Sequence, residues 1–338
     1  MSTTTTTTTK GILRFSIPDE SVTAEQRAFF ATPQNKDFVS QEVELYDFNN
    51  ASSSDIVKGA PGLDIQGFTW IHQKSQIATS ENASSGKFFE GSNIEDLYLP
   101  ELEQMIVDVT GCKKAVAWNG VTRRKLPVHQ DGKPTLQHRK GGEMDQIFDR
   151  LRRDVPFISG KSVESSIEPV RNVHVDMNNQ GLRDTARYCR SDIRAAAQEA
   201  LDAEDSGSNN VPRYACYSVW RPLFPVKRDP MAACDFRTIS KSCFFDTPYR
   251  NPADNEQREF MNTIRIILPD RENPEKQKWY YFPNQGPEDV LILKLGDTLA
   301  DKDPGVAEGA PHGSPMIPGT EGVEEARCSI EVRVMAFW

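Results

Sequence analysis

From residue 213 onward the chain is written in short runs of β-branched and aromatic residues, separated by turns rich in Pro, Gly and Asp. The runs are Tyr214–Trp220, Asn262–Leu268, Lys278–Phe282, Val290–Lys294 and Cys328–Phe337. Strands of this length and spacing predict an antiparallel barrel or sandwich, not alternating βαβ units. Neither an internal repeat nor a Gly-rich phosphate loop interrupts the pattern.

The N-terminal half supplies the flanking helices. After Met1-Ser2 and seven threonines, residues 1–10 read as a disordered tail, and Gly11–Ile17 has the texture of a strand, followed by a polar stretch to about residue 60. Ser92 is placed to cap a helix whose Leu97, Leu99, Leu102, Met105, Ile106 and Val109 recur at helical spacing, with Gly111 as its stop. Lys113–Trp118 reads as a short strand, residues 119–143 as a basic insert or flap, and 144–153 as a short charged helix. A longer helix over Leu182–Ala203 carries Ala186, Cys189, Ile193, Ala197 and Leu201 along one stripe. The expected fold is therefore mainly β with flanking helices. It forms a single catalytic domain over 11–338, helical or mixed to about 160 and β from about 161.

Charge and cysteine usage exclude several classes. Lys+Arg 40 against Asp+Glu 49 gives a net charge of −9, so there is no global positive field for nucleic acid, and the basic run Val121–Lys125 reads as a solvated loop. The N-terminus has neither the basic start nor the apolar stretch of a secretory signal, and no run of about 18 apolar residues occurs that would span a membrane. Six scattered cysteines with no Cys-x-x-Cys pair argue for free thiols in a reducing cytoplasm. The oligomeric state is not legible.

The residues that carry chemistry are few. Iron(II) centres that activate O₂ need about three protein ligands and open positions beside them, which two imidazoles and a carboxylate supply. Among five histidines, His174-Val-Asp176 offers two such ligands and His312, in a Pro/Gly-rich loop before the last strand, a third. His72, His129 and His138 lack a carboxylate two residues away and read as solvated or structural. Alternation on the last strand puts Arg327, Ser329, Glu331 and Arg333 on one face and Cys328, Ile330, Val332 and Val334 on the other. A buried Arg with a neighbouring hydroxyl suits a ligand carboxylate. Charged side chains facing water on a barrel strand would give the same pattern.

Taken together, several runs resemble a known family. They are Val173–Asp176, Ser218–Leu223, Cys234-Asp235, Lys278–Phe282, Pro287–Lys294, Asp297-Thr298, Pro311-His312 and Arg327–Arg333. Over roughly residues 60–338 the chain is similar to the fungal and bacterial hydroxylase/desaturase family, which includes the cephem methoxylase component and gibberellin-desaturase-like proteins. The resemblance implies a double-stranded β-helix (jelly-roll) core, Fe(II), 2-oxoglutarate and O₂ as co-substrates, and oxidation of an unactivated C–H bond in a small secondary metabolite. It makes His174, Asp176 and His312 the metal triad and gives 2-oxoglutarate to Arg327 and Ser329. Arg221 is a second candidate for an anion, or a structural Arg paired with Asp235. Ser218, the His312-Gly-Ser-Pro315 run and Cys328 depart from the family's usual residues, which bears on substrate choice. A small, amino-acid-like substrate held by Arg221 or Arg333, with Met335 and Phe337 lining its pocket, is expected. The rival readings are a metal-dependent dioxygenase, isomerase or lyase that needs no 2-oxoglutarate, and a non-catalytic jelly-roll binding protein.

Overall fold

Two facing sheets, mostly antiparallel, form a double-stranded β-helix. The computed structural model describes residues 8–23, 35–124, 155–162, 167–254 and 259–338. The eight-stranded sheet runs β1 (Thr8–Pro18), β2 (Asn35–Asp47), β11 (Trp279–Tyr281), β8 (Ala232–Cys234), β13 (His312–Gly313), β6 (His174–Val175), β10 (Glu259–Ile267) and β9 (Phe244–Pro252). The six-stranded sheet runs β3 (Phe68–His72), β12 (Asp289–Asp297), β7 (Tyr214–Pro222), β14 (Ser329–Phe337), β4 (Lys114–Arg123) and β5 (Phe157–Ser159). Neighbours pair antiparallel except β2 with β11 and β4 with β5. Five helices are described: α1 (Ala60–Ile65), α2 (Ser80–Ser84), α3 (Leu99–Thr110), α4 (Asn179–Tyr188) and α5 (Ser191–Asp205).

Side-chain alternation sorts the core into layers. Between the sheets, Phe68, Trp70, Trp220, Leu291 and Leu293 meet Ala233 and Tyr280. Behind the six-stranded sheet, Leu99, Leu102, Met105 and Ile106 of α3 pack on Tyr217, Val219, Ile330, Val332 and Val334. Fully burying each such side chain contributes about 1.5–3 kcal/mol, which explains why a strand with charges on one face stays put. The opposite face of β14 points inward, toward the eight-stranded sheet. Leu13, Phe15, Leu45, Val173, Val175 and Trp279 form a further cluster on the eight-stranded sheet.

Several expectations are met at the level of the element and shifted at its ends. The first strand begins at Thr8, so three residues assigned to the tail belong to β1. Its partner β2 occupies the stretch expected to be merely polar; Val39, Val43 and Leu45 alternate there with Ser40, Glu42 and Glu44, an edge-strand pattern masked by its charges. Leu99, with Pro100 behind it, starts α3 after a π-helical turn over Ile94–Tyr98, and Gly111 ends it in the left-handed region at φ 71. Ser92 bonds the Asp96 side chain instead of capping α3. The strand expected to end at Trp118 runs to Arg123. One expected helix over 182–203 is two, α4 and α5, broken where Arg190 turns extended and sends its guanidinium to the Ala117 carbonyl. The expected stripe is nonetheless buried along its length. Strands β8 and β9 lacked a legible signal. The remainder of the expected flap beyond residue 124 and the helix at 144–153 lie outside the described residues. No helix among those described is long and apolar enough to cross a membrane.

Candidate active site

His174 and His312 face each other because their short strands are neighbours. β13 pairs with β6 through a single register pair, His312 opposite His174, which brings the ring centroids to 4.6 Å. Each Nδ1 donates to a backbone carbonyl two residues upstream, His174 to Asn172 at 2.8 Å and His312 to Ala310 at 2.9 Å. A carbonyl only accepts, so the proton sits on Nδ1 and each neutral ring keeps its Nε2 lone pair for another partner. Asp176 follows one residue beyond the end of β6, its Oδ1 3.6 Å from His174 Nε2. One ligand atom from each of the three lies within 4.8 Å of the others.

Electrostatics keep two of the three donors, Asp176 and His312, in a metal-ready form. Burial alone would raise the Asp176 carboxyl, yet the Arg333 guanidinium and the two imidazoles hold it well below the usual carboxylate range. Burial, aided by the nearby His174, pushes His312 down to about 4. For His174 burial acts downward too, but Asp176 outweighs it and the net direction is up. Two nitrogen donors and one ionised oxygen donor are what a first-row divalent metal of intermediate hardness binds.

The inner face of β14 continues the site. Arg327 is 4% exposed, and its Nη1 donates to the Asp229 carbonyl at 2.6 Å and to Ser314 Oγ at 3.2 Å. Ser314 lies two residues past His312, roughly 7 Å along an extended chain, so one partner of Arg327 shares a short segment with the histidine. Asp229 adopts a left-handed backbone, φ 52, unusual for a non-glycine residue, which accompanies the carbonyl's approach to Arg327. The Asp229 carboxylate is already bound by Arg171 at 2.7 Å and Arg228 at 2.8 Å. Arg327 Nε and Nη2 and the Ser329 hydroxyl are buried and have no hydrogen-bond partner among the described residues. The guanidinium lies over the Trp220 ring at 5.2 Å. Burial, with Arg123 nearby, pushes Arg327 down to about 9. Two donors from Arg327, just before β14, and one from Ser329, at its start, are of the kind that pairs with a carboxylate.

The structure separates the other expected residues from these donors. Arg221 points to the α3 side of the sheet, where it donates to the Gln73 and Pro287 carbonyls at 2.9 and 2.6 Å and to the Tyr98 hydroxyl at 3.2 Å. Asp235 pairs instead with Arg237 at 2.6 Å. Arg333 does face the site, but its fork grips Asp176, so it is not open to a substrate carboxylate. Met335 and Phe337 pack with Leu182, Ala186 and Ile193 of α4 and α5 in a closed apolar cluster. Of the other histidines, His72 is exposed and pairs with Glu288 and Asp289, while His129 and His138 lie outside the described residues.

Some residues of the site are given no role there by the sequence. Arg123 bonds Glu331 at 2.7 Å and Asn119 bonds Arg333 at 2.6 Å, both from the end of β4 that the basic composition disguised as a flap. The alternation of that strand was the available signal. For Asp229, in a bend, there was none, and Ser314, just past β13, stood out only as part of the His312-Gly-Ser-Pro315 run.

Comparison with known proteins fits this geometry. A family described as "Oxidoreductase/YMDC permease-like domain" matches residues 15–337. The chain is 32% identical to "Gibberellin cluster GA4 desaturase" of Gibberella fujikuroi, over 72% of this chain and 73% of that protein. It is 29% identical to "Oxidoreductase chry3" of Gibberella zeae, over 82% and 84%. The solved structure of the "iron and alpha-ketoglutarate-dependent endoperoxidase NvfI" superposes with a TM-score of 0.61 at 19% identity, covering 98% of each chain, which shows the shared fold. Sequence relationship over most of the chain thus joins the jelly-roll and its two-histidine, one-carboxylate cluster: the protein belongs to the hydroxylase/desaturase family of Fe(II)/2-oxoglutarate-dependent oxygenases.

Proposed function

We propose that His174, Asp176 and His312 hold the iron, that Arg327 and Ser329 bind the far carboxylate of 2-oxoglutarate, and that the enzyme oxidises an unactivated C–H bond of a small metabolite by hydroxylation, desaturation or oxidative ring closure. The observation that carries this reading is the presence of three convergent metal donors together with three buried donors that have no partner among the described residues, Arg327 being tied through Ser314 to the segment that carries His312. When bound, iron with 2-oxoglutarate and O₂ supplies an oxidant able to take a hydrogen atom from such a bond.

The chain's own residues do the rest. The carbonyls of Asn172 and Ala310 fix the imidazole tautomers and orientations before any ligand arrives. Asp229 and Ser314 aim one edge of Arg327 and leave the other edge for a carboxylate. Trp220 beneath the guanidinium excludes water from that interaction, which strengthens it. A net charge of −9 speaks against nucleic acid as substrate, and six free, buried cysteines suit a reducing cytoplasm.

An anaerobic titration tests the assignment. Purified protein given Fe(II) and then 2-oxoglutarate is expected to develop a saturable visible absorbance and, with O₂ and substrate, to release succinate. His174→Ala is expected to bind no iron, and Arg327→Ala to bind iron but not 2-oxoglutarate. Wild-type protein that takes up no Fe(II) would sink the reading; iron binding without any response to 2-oxoglutarate would favour the 2-oxoglutarate-independent alternative.

A further inference from the structure

Resting on the metal assignment above, we propose that Arg333 is a positioning residue that holds Asp176 as a one-oxygen ligand and so keeps metal positions open for the co-substrates. The three candidate ligands are not held alike. Both imidazoles are fixed by backbone carbonyls two residues upstream on their own segments, whereas Asp176 lies past the end of a two-residue strand and is fixed by a side chain from the opposite sheet. Arg333 Nη2 donates to Asp176 Oδ1 at 2.9 Å and Nε to Oδ2 at 3.2 Å. The third edge of the guanidinium, through Nη1, donates to Asn119 Oδ1 at 2.6 Å.

This latch has its own scaffold. β14 and β4 pair Arg333 with Asn119, but the next pair is Val334 with Ala117, so Trp118 is the extra residue of a bulge beside the arginine. Bulges of this kind re-aim a side chain next to a site, and here Asn119 is the side chain that meets the arginine. With Nε, Nη1 and Nη2 each donating a hydrogen bond, the guanidinium is held on the Asp176 side and on the Asn119 side at once. A fork of two parallel bonds occupies the edge between the two carboxylate oxygens, the same edge a metal needs to chelate both. Asp176 therefore offers a metal one oxygen only. Three protein ligands then leave room for a two-point 2-oxo acid and for O₂.

Equilibrium dialysis with Fe(II) alone, under anaerobic conditions, reads the latch without turnover. Arg333→Gln is expected to weaken Fe(II) binding by about 10–100-fold, the usual effect of losing a partner that orients a metal ligand. Arg333→Lys, which keeps the charge but cannot fork, should recover only part of it, and Asn119→Ala should lose less than Arg333→Gln. Thermal melting of the metal-free variants provides the control. Fe(II) affinity within twofold of wild type in Arg333→Gln, or full recovery in Arg333→Lys, overturns the inference. Failure of the wild type to bind Fe(II) would instead remove the metal assignment beneath it, so the two failures are distinguishable.

Discussion

Two groups of cations inside this barrel, one around Lys294 and one around Arg327, differ in what they touch. In one, Lys294 and Arg213 share the carboxylates of Asp64 and Asp297: Lys294 Nζ lies 2.7 and 2.6 Å from them, and Arg213 Nη2 2.5 and 2.6 Å. Asp297 also accepts from the Leu299 amide at 2.9 Å, so charge is matched by charge. In the other, the hydrogen bonds of Arg327 among the described residues go to a carbonyl and a hydroxyl, while the Asp229 carboxylate is taken by two other arginines. A buried donor without an acceptor costs about 1–3 kcal/mol. The first group is a device of the fold; on the function proposed above, the second is a cost carried for a ligand.

The sharpest way to break this contrast is to damage the matched cluster. Asp297→Ala leaves Lys294 buried without its nearest partner, which is expected to cost about 3–5 kcal/mol in urea unfolding of the metal-free protein, with 2-oxoglutarate affinity of the folded fraction unchanged. A cost under about 1 kcal/mol would show that solvent relaxes the cluster and that its matched charges do not secure the fold. Arg327→Met is the counterpart. It should weaken 2-oxoglutarate binding by about 2–5 kcal/mol while leaving metal-free stability unchanged or slightly higher, because no carboxylate loses a partner. If stability falls by several kcal/mol and binding survives, Arg327 belongs with the structural cations. Ser329→Ala removes one neutral donor to a charged ligand, for which about 1.5–3 kcal/mol of 2-oxoglutarate affinity is expected, read in the same absorbance titration.

The contrast also marks the limit of what the sequence conveys. Lys294 in Leu-Ile-Leu-Lys294 and Arg327 before Ser-Ile-Glu-Val look alike as cations on apolar strands, and only the positions of Asp64 and Asp297 tell them apart. Strand texture was legible because it is local: β7, β10, β11, β12 and β14 all lie where β-branched and aromatic runs placed them, to within a few residues. The β14 alternation was legible too, so Arg333 was placed on the right face but assigned the wrong partner, since its acceptor sits on another sheet. Arg221 was misplaced because its face depends on which side of β7 the helix α3 covers, a tertiary fact. The break between α4 and α5 is tertiary as well, set by Arg190 reaching Ala117.

Proton competition gives the smallest effect and separates the site from the matched cluster once more. Metal binding requires neutral imidazoles and an ionised carboxylate. Asp176 is held well below the usual range and His312 at about 4, so neither takes up a proton in mildly acidic solution. His174 is shifted upward, so it is the ligand that is protonated first as pH falls. Fe(II) affinity should therefore be level above the His174 pKa and fall below it with a slope of one proton, about tenfold or 1.4 kcal/mol per pH unit down to about pH 5. Asp64, held below its ordinary value by Lys294 and Arg213 against the effect of burial, stays ionised over that range, so the matched cluster should not follow the same curve. A slope of two would mean that both imidazoles titrate together and that the asymmetry between His174 and His312, buried side by side, is not set by Asp176.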